Sequence, residues 1–290
     1  MPTFEDQFVN VGPVRTRFWQ AGSSGSAVVL LHGIGCSVLE WRQNVAELAR
    51  HHRVFALDLL GYGLTDKPAD ETYSLGNLAQ FALDFMTTQG LERAHLAGNS
   101  LGGRLALECA LRAPARVASM LLADPAGVGR ECHINFRLAA APVIGNILTR
   151  PSRFGLKMLW DLAFVDTSLV TREVVEDKFR FASLPGAQAA FLKTLRGFLR
   201  FGGFPADQVA ALQAALPGIA APALVIWGRQ DKLLPVAQAD ILKRLLPHVQ
   251  VQVFDNCGHV PQVECAERFN EAALRFWATL DADAGSADRA

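Results

Sequence analysis

An α/β protein with a mostly parallel, doubly wound sheet and a late helical insertion is the fold class this sequence predicts. Three observations carry that reading. Short apolar runs such as Ala27-Val-Val-Leu-Leu31 and Ala223-Leu-Val-Ile-Trp227 lack polar alternation, as strands covered on both faces do. Stretches with helical apolar spacing separate these runs, which is the pattern of βαβ units. Between residues 129 and 217 the alternation stops, and that segment reads as helical throughout, with Pro142, Pro151, Pro185 and Pro205 interrupting it.

Taken in order, Phe4 to Val11 and Val14 to Gln20 flank Gly12-Pro13 and predict an edge hairpin. After a polar turn, residues 21–26, comes the first buried strand, Ala27 to Leu31, ending at His32-Gly-Ile-Gly35. A helix is expected over Val38 to Arg50, a strand over Arg53 to Asp58 and a helix over Leu75 to Thr88. A central strand around His95 to Ala97 leads into a helix from Leu101 to Arg112. Val117 to Ala123 is the next strand, ending at Asp124. Beyond the insertion, Ala223 to Trp227, a helix Val236 to Leu246, a strand Val249 to Phe254 and a helix Val263 to Leu280 complete the alternation. The expected organisation is a core over 1–128, a helical cap over 129–217, core again over 218–280, and a small, polar, disordered tail over 281–290.

Composition narrows the function classes. Half of the 290 residues are apolar and 19% charged, with 28 basic and 28 acidic residues, so net charge favours neither nucleic acid nor a membrane surface. Five scattered cysteines match no metal-site spacing and suit a reducing compartment. The N-terminus carries neither a basic n-region nor an apolar h-region, and no uncharged apolar run reaches spanning length. A cytoplasmic protein is the expectation.

Chemistry concentrates at Gly98-Asn-Ser-Leu-Gly102, a G-x-S-x-G between a strand and a helix. Reversing the chain there forces Ser100 into a strained conformation, and side chains at Gly98 and Gly102 would collide. A serine hydroxyl needs a base, and the base needs an orienting acid. Ligand sites in such sheets lie beyond the carboxyl ends of the strands. There, after the last strand, stands His259, and after the strand before it, Asp231; the order Ser100, Asp231, His259 is that of a serine triad. Asp124, closing the strand after the serine helix, competes for the acid role. An oxyanion needs N–H donors, expected from Leu101 and from Ile34.

Other polar groups have plainer readings: Asp58 a loop anchor, His32 and His95 buried hydrogen-bonding residues, His51 and His52 solvated surface, and Cys257 and Cys265 inert thiols. Arg196 and Arg200, one helical turn apart, read as surface charge rather than a carboxylate clamp. The many phenylalanines of 129–217 are mostly the segment's own packing, but some must line a cleft over Ser100, which favours an apolar acyl or aryl group.

These pieces resemble the α/β-hydrolase superfamily: Leu31-His-Gly-Ile-Gly35, Asp58-Leu-Leu-Gly-Tyr-Gly63, Gly98-Asn-Ser-Leu-Gly102, Gly228-Arg-Gln-Asp231 and Gly258-His259. The resemblance implies eight strands, a cap after the sixth, Ser100 as nucleophile, His259 as base, Asp231 as acid, and Ile34 and Leu101 as oxyanion hole. The serine turn is similar to that of carbon–carbon hydrolases of aromatic meta-cleavage products. Val260, where those enzymes carry tryptophan, and Ile34 and Cys36, where they carry a glycine run, depart from that pattern, and Gly258-His-Val-Pro-Gln-Val-Glu264 is more similar to general carboxylesterases of the family. Serine at position 100 differs from the aspartate of haloalkane dehalogenases and epoxide hydrolases, and Gly35 from the proline of perhydrolases.

The leading expectation is therefore an esterase for small-molecule apolar esters, with a carbon–carbon hydrolase of aromatic-derived diketo acids as the alternative and a small-molecule receptor as the third. No metal or organic cofactor, nucleic-acid partner or membrane partner is expected, and self-association is left open.

Overall fold

The computed structural model describes residues 4–287. Eight strands form one sheet in the order β1-β2-β4-β3-β5-β6-β7-β8: β1 Gln7–Val11, β2 Val14–Ala21, β3 Ala27–Leu31, β4 Arg53–Leu57, β5 Ala94–Asn99, β6 Val117–Ala123, β7 Ala223–Gly228 and β8 Val249–Phe254. The β1–β2 and β2–β4 pairings are antiparallel and the rest parallel. The hairpin thus occupies one edge, as its glycine–proline turn predicts.

Alternate residues of β3 feed two cores. Val29 and Leu31 pack with helices α2 (Leu75–Thr88) and α3 (Leu101–Arg112), whereas Val28 and Leu30 pack with the one-turn α1 (Val45–Leu48) and the C-terminal α12 (Ala266–Ala287). All five β3 side chains are buried, which is why the run carries no polar alternation.

Between β6 and β7 the chain is helical: α4 Ile134–Ala140, α5 Ile144–Leu148, α6 Arg153–Ala163, α7 Arg172–Ala182, α8 Ala187–Phe198 and α9 Ala206–Ala215. Val209 and Leu212 of α9, with Leu216 beyond it, pack into the larger core, and Gln213 Nε2 donates to the Val128 carbonyl. After β7 come α10 (Gln238–Leu245) and, after β8, α11 (Pro261–Glu264).

Four expectations need correction. The helix expected over Val38 to Arg50 is a 3-10 turn, Val38–Trp41, followed by α1. Ser37 and Glu40 cap that turn reciprocally, and the buried Asn44 side chain ties the junction to Gln262 O and Asn270 Oδ1, 3.0 and 2.8 Å away. The last helix is broken at Cys265 and then continues to Ala287 instead of stopping at Leu280. Residues 288–290 of the expected tail lie outside the described residues. His52 is buried rather than solvated, because α12 lays Trp277 across it with ring centroids 5.0 Å apart. Arg196 is a brace rather than free surface charge: its guanidinium donates to the Ala140 and Ala141 carbonyls and to Asn146 Oδ1, so α8 holds the α4–α5 junction.

Candidate active site

The sheet order puts β5, β6, β7 and β8 side by side, so the loops at their carboxyl ends are neighbours although they lie far apart in the chain. Ser100 follows β5 with φ 56° and ψ −112°, a conformation an L residue adopts only when its surroundings hold it there. Its N–H donates to Ala123 O at 2.8 Å, and its carbonyl accepts from the N–H groups of Arg104 and Ala126, each at 3.0 Å. A Cβ at Gly98 would fall 2.2 Å from the Gly102 carbonyl group, and one at Gly102 would fall 2.0 Å from Leu31 O. Backbone cannot swing aside as a side chain can, so both positions require glycine. Ser100 is 8% exposed, and its hydroxyl makes no hydrogen bond among the described residues.

On the β3 side, His32 pins the loop that carries Ile34. Its Nε2 accepts from Leu59 N–H at 3.0 Å and its Nδ1 lies 2.7 Å from Gly33 O, which together select the Nδ1–H tautomer. Burial lowers its pKa to about 3, so it stays neutral, as a structural histidine should. A Cβ at Gly33 would lie 3.4 Å from Ser100 Cβ, which sets this loop against the serine. The N–H groups of Ile34 and Leu101 donate to no backbone carbonyl among the described residues. Leu101 opens α3, so its N–H also has the helix dipole behind it.

On the other side, His259 Nδ1 lies 2.7 Å from Asp231 Oδ2, and the other Asp231 oxygen accepts from Leu233 and Leu234 N–H at 2.7 and 2.9 Å. That leaves His259 Nε2 without a partner among the described residues. Asp124 stands beside this pair. Fully buried and at φ 45°, it accepts from Gly228 N–H on Oδ1 at 3.0 Å and has no hydrogen-bond partner on Oδ2 among the described residues. Ligand atoms of Asp124, Asp231 and His259 all lie within 4.8 Å of one another. Burial first, and then the Asp231 charge, push the Asp124 carboxyl well above the usual carboxylate range. Within this trio the His259–Asp231 hydrogen bond takes up one imidazole nitrogen and one carboxylate oxygen.

Two residues outside the expected set tie the histidine loop down. Asn99 Nδ2 donates to His259 O at 2.9 Å and to Ala123 O at 3.3 Å; its one sequence signal is an amide ending a buried strand. Glu264 accepts from Gly258 N–H at 2.6 Å with one oxygen and from Val165 and Asp166 N–H, each at 2.7 Å, with the other. His259 N–H donates to Ala163 O at 2.7 Å, so the inserted helices and the histidine loop are joined at several points. Nothing local in the sequence announces those contacts.

A mostly apolar cavity of about 460 Å³ lies beneath the inserted helices, walled by Phe136, Leu159, Trp160, Phe181 and Phe191 among others. It reaches Ile34, Gly35 and Cys36 but not Ser100 itself, so the loop beside the serine forms its inner end. Lys67 and Arg150 are the cations in its wall. Lys67 is occupied by the Gly63 and Thr65 carbonyls, at 2.9 and 2.8 Å.

The chain is similar to other proteins over most of its length. A 2-hydroxymuconate semialdehyde hydrolase of Pseudomonas sp. (strain CF600) is 33% identical over 280 residues, covering 93% of each chain. A solved meta-cleavage product hydrolase of Pseudomonas fluorescens superposes with TM-score 0.81 at 28% identity, over 95% of this chain and 98% of that one. A solved bacterial membrane phospholipase A gives TM-score 0.80 at 28% identity, over 96% and 87%. No helix among the described residues is long and apolar enough to cross a membrane. The model of the alpha/beta hydrolase fold family matches residues 26–265, and with the observed strand order this makes the chain a member of that family.

Proposed function

We propose that this hydrolase cleaves carboxylic esters with an apolar acyl or aryl group through an acyl-enzyme on Ser100. The observation that carries the reading is the 2.7 Å contact of His259 with Asp231, at the carboxyl ends of the strands, where a strained Ser100 also stands. As Ser100 Oγ bonds to the ester carbonyl carbon, His259 Nε2 takes the hydroxyl proton. Asp231 holds the imidazole in the Nδ1–H tautomer and stabilises its cation. The Ile34 and Leu101 N–H groups receive the oxyanion. The C–O bond to the leaving alcohol then breaks as His259 returns the proton to it, and a water activated by the same nitrogen releases the acid. That the Ser100 hydroxyl and His259 Nε2 have no partner among the described residues is compatible with this, since such hydrogen bonds often tighten only around substrate.

In this reading Asp124 is the neutral partner of a carboxyl pair. Two buried carboxyl groups this close do not both ionise, and Asp231 is the one that faces an imidazole and two N–H donors. Residues 129–217 act as the cap, with the cavity beneath them receiving the acyl or aryl group. Five unpaired cysteines support a cytoplasmic setting.

A second reading, hydrolysis of a carbon–carbon bond in a meta-cleavage product, is favoured by the near full-length similarity to the 2-hydroxymuconate semialdehyde hydrolase and by Arg150 in the cavity wall. Aryl esters of graded acyl length, assayed beside one ring-fission product, separate the two. Ser100→Ala should abolish turnover of whichever substrate is used while leaving the fold intact; undiminished ester turnover by that variant refutes the serine mechanism.

A further inference from the structure

Ten large apolar side chains are strongly exposed among the described residues, and seven of them fall in the short stretch 134–158. Val143 (69%), Ile144 (48%), Ile147 (59%) and Leu148 (57%) cover α5 and its start, and Phe154 (76%) and Met158 (49%) continue the patch onto α6. A concentration of this kind on a soluble surface marks a contact site rather than chance exposure. Leu148, Phe154 and Met158 also belong to the cavity wall, so they form its mouth.

Charge is just as uneven. Residues 134–160 hold Arg137, Arg150, Arg153 and Lys157 and no carboxylate, in a chain whose net charge is zero. Arg153 reaches Glu176 at 2.6 Å and Lys157 reaches Asp161 at 2.7 Å, so counting those two acids the face keeps 4 − 2 = +2. Arg150 makes no ion pair among the described residues. Short helices with exposed Ile, Leu and Phe on one side and Arg and Lys beside them are the pattern of segments that lie in a lipid–water interface.

We propose that α5 and the first turns of α6 dock on an anionic lipid surface, placing the mouth of the cavity against it. A second copy of this chain fits the face less well. A two-fold contact would bring the same cations together and lie across the cavity mouth. An anionic surface complements both the charge and the apolar rim, and the overall neutrality of the chain does not oppose it, because attraction to the surface falls off within a Debye length. Delivery of an ester acyl chain through that mouth rests on the esterase reading above; the docking itself does not.

The test is flotation of the purified full chain with vesicles of phosphatidylcholine alone and of phosphatidylcholine mixed with phosphatidylglycerol. The protein should float with the mixed vesicles and stay behind with the neutral ones. The double variant Ile144→Ser/Ile147→Ser, at side chains outside the cavity wall, should lose at least about tenfold in partitioning. Its turnover of a water-soluble aryl acetate should match the wild type. Arg153→Gln should lower binding to the mixed vesicles by up to about fivefold. Failure of the wild type to float, equal binding to neutral vesicles, or undiminished binding by the double variant would overturn the proposal. So would a wild-type dimer that the double variant converts to monomer. The Ser100→Ala variant should float like the wild type, and if flotation persists in a protein that cleaves no ester, the esterase reading fails while the docking stands.

Discussion

Asp124→Asn tests the assignment of charge within the buried carboxyl pair, on stability and on activity together. With its carboxyl held well above the usual range, folded Asp124 keeps a proton that the unfolded chain releases above about pH 4. The sign follows directly. A raised folded-state pKa gives a contribution that is complete below the unfolded value and is lost as pH rises towards the folded one. Asparagine does not titrate, so the variant gains on the wild type by up to about 1.4 kcal/mol per pH unit over that window. From pH 4 to pH 7 the gap in unfolding free energy should widen by as much as roughly 4 kcal/mol, an upper bound reached only if Asp124 stays fully protonated at pH 7. Urea unfolding of both proteins across that range measures it.

Activity supplies the second half of the test. Were Asp124 ionised, removing a charge within 4.8 Å of the imidazole would matter. At an effective dielectric near 20 that interaction is about 3 kcal/mol, enough to move the acid limb of kcat/KM down by about two pH units. For a neutral Asp124 the substitution removes no charge, and the limb should stay within about half a unit of its wild-type position. A stability gap that does not change with pH, or an acid limb displaced by two units, refutes the neutral-acid assignment.

Other substitutions probe the supports of the site. Lys178 of α7 is buried beside Glu40, with its ammonium 3.8 Å from the centre of the Trp160 ring; Lys178→Met strands the carboxylate and should cost about 3–5 kcal/mol, much of it recovered by adding Glu40→Gln, as chemical denaturation would show. Gly98→Ala should destabilise by roughly 3 kcal/mol or prevent folding, because its Cβ meets the Gly102 backbone and not a movable side chain. Glu264→Gln turns one of three backbone N–H contacts into a donor–donor clash; kcat/KM for an aryl ester should fall by about 10–100-fold as the His259 loop shifts, with a stability loss of about 1–3 kcal/mol read from the unfolding midpoint.

Local pattern determined a good deal about this protein. Leu75–Thr88, Leu101–Arg112, Val117–Ala123 and Val249–Phe254 lie where their apolar spacing places them, because burying one stripe or both strand faces is a requirement each segment states for itself. The glycines at 98 and 102 were legible for a similar reason, since a strand-to-helix reversal has one steric solution. Only the tertiary structure decided what those segments meet. The break before α1 follows from Asn44 reaching residues 218 and 226 positions away, and the burial of His52 follows from where α12 crosses. Asp124 and Asp231 compete as acids in the sequence and become a contacting pair once β6 and β7 adjoin. The exposed rim of α5 and α6 reads as ordinary helical packing until the fold shows those side chains facing outward. Periodicity records which face of an element is apolar; packing decides the partner, and burial of a polar group depends on that partner.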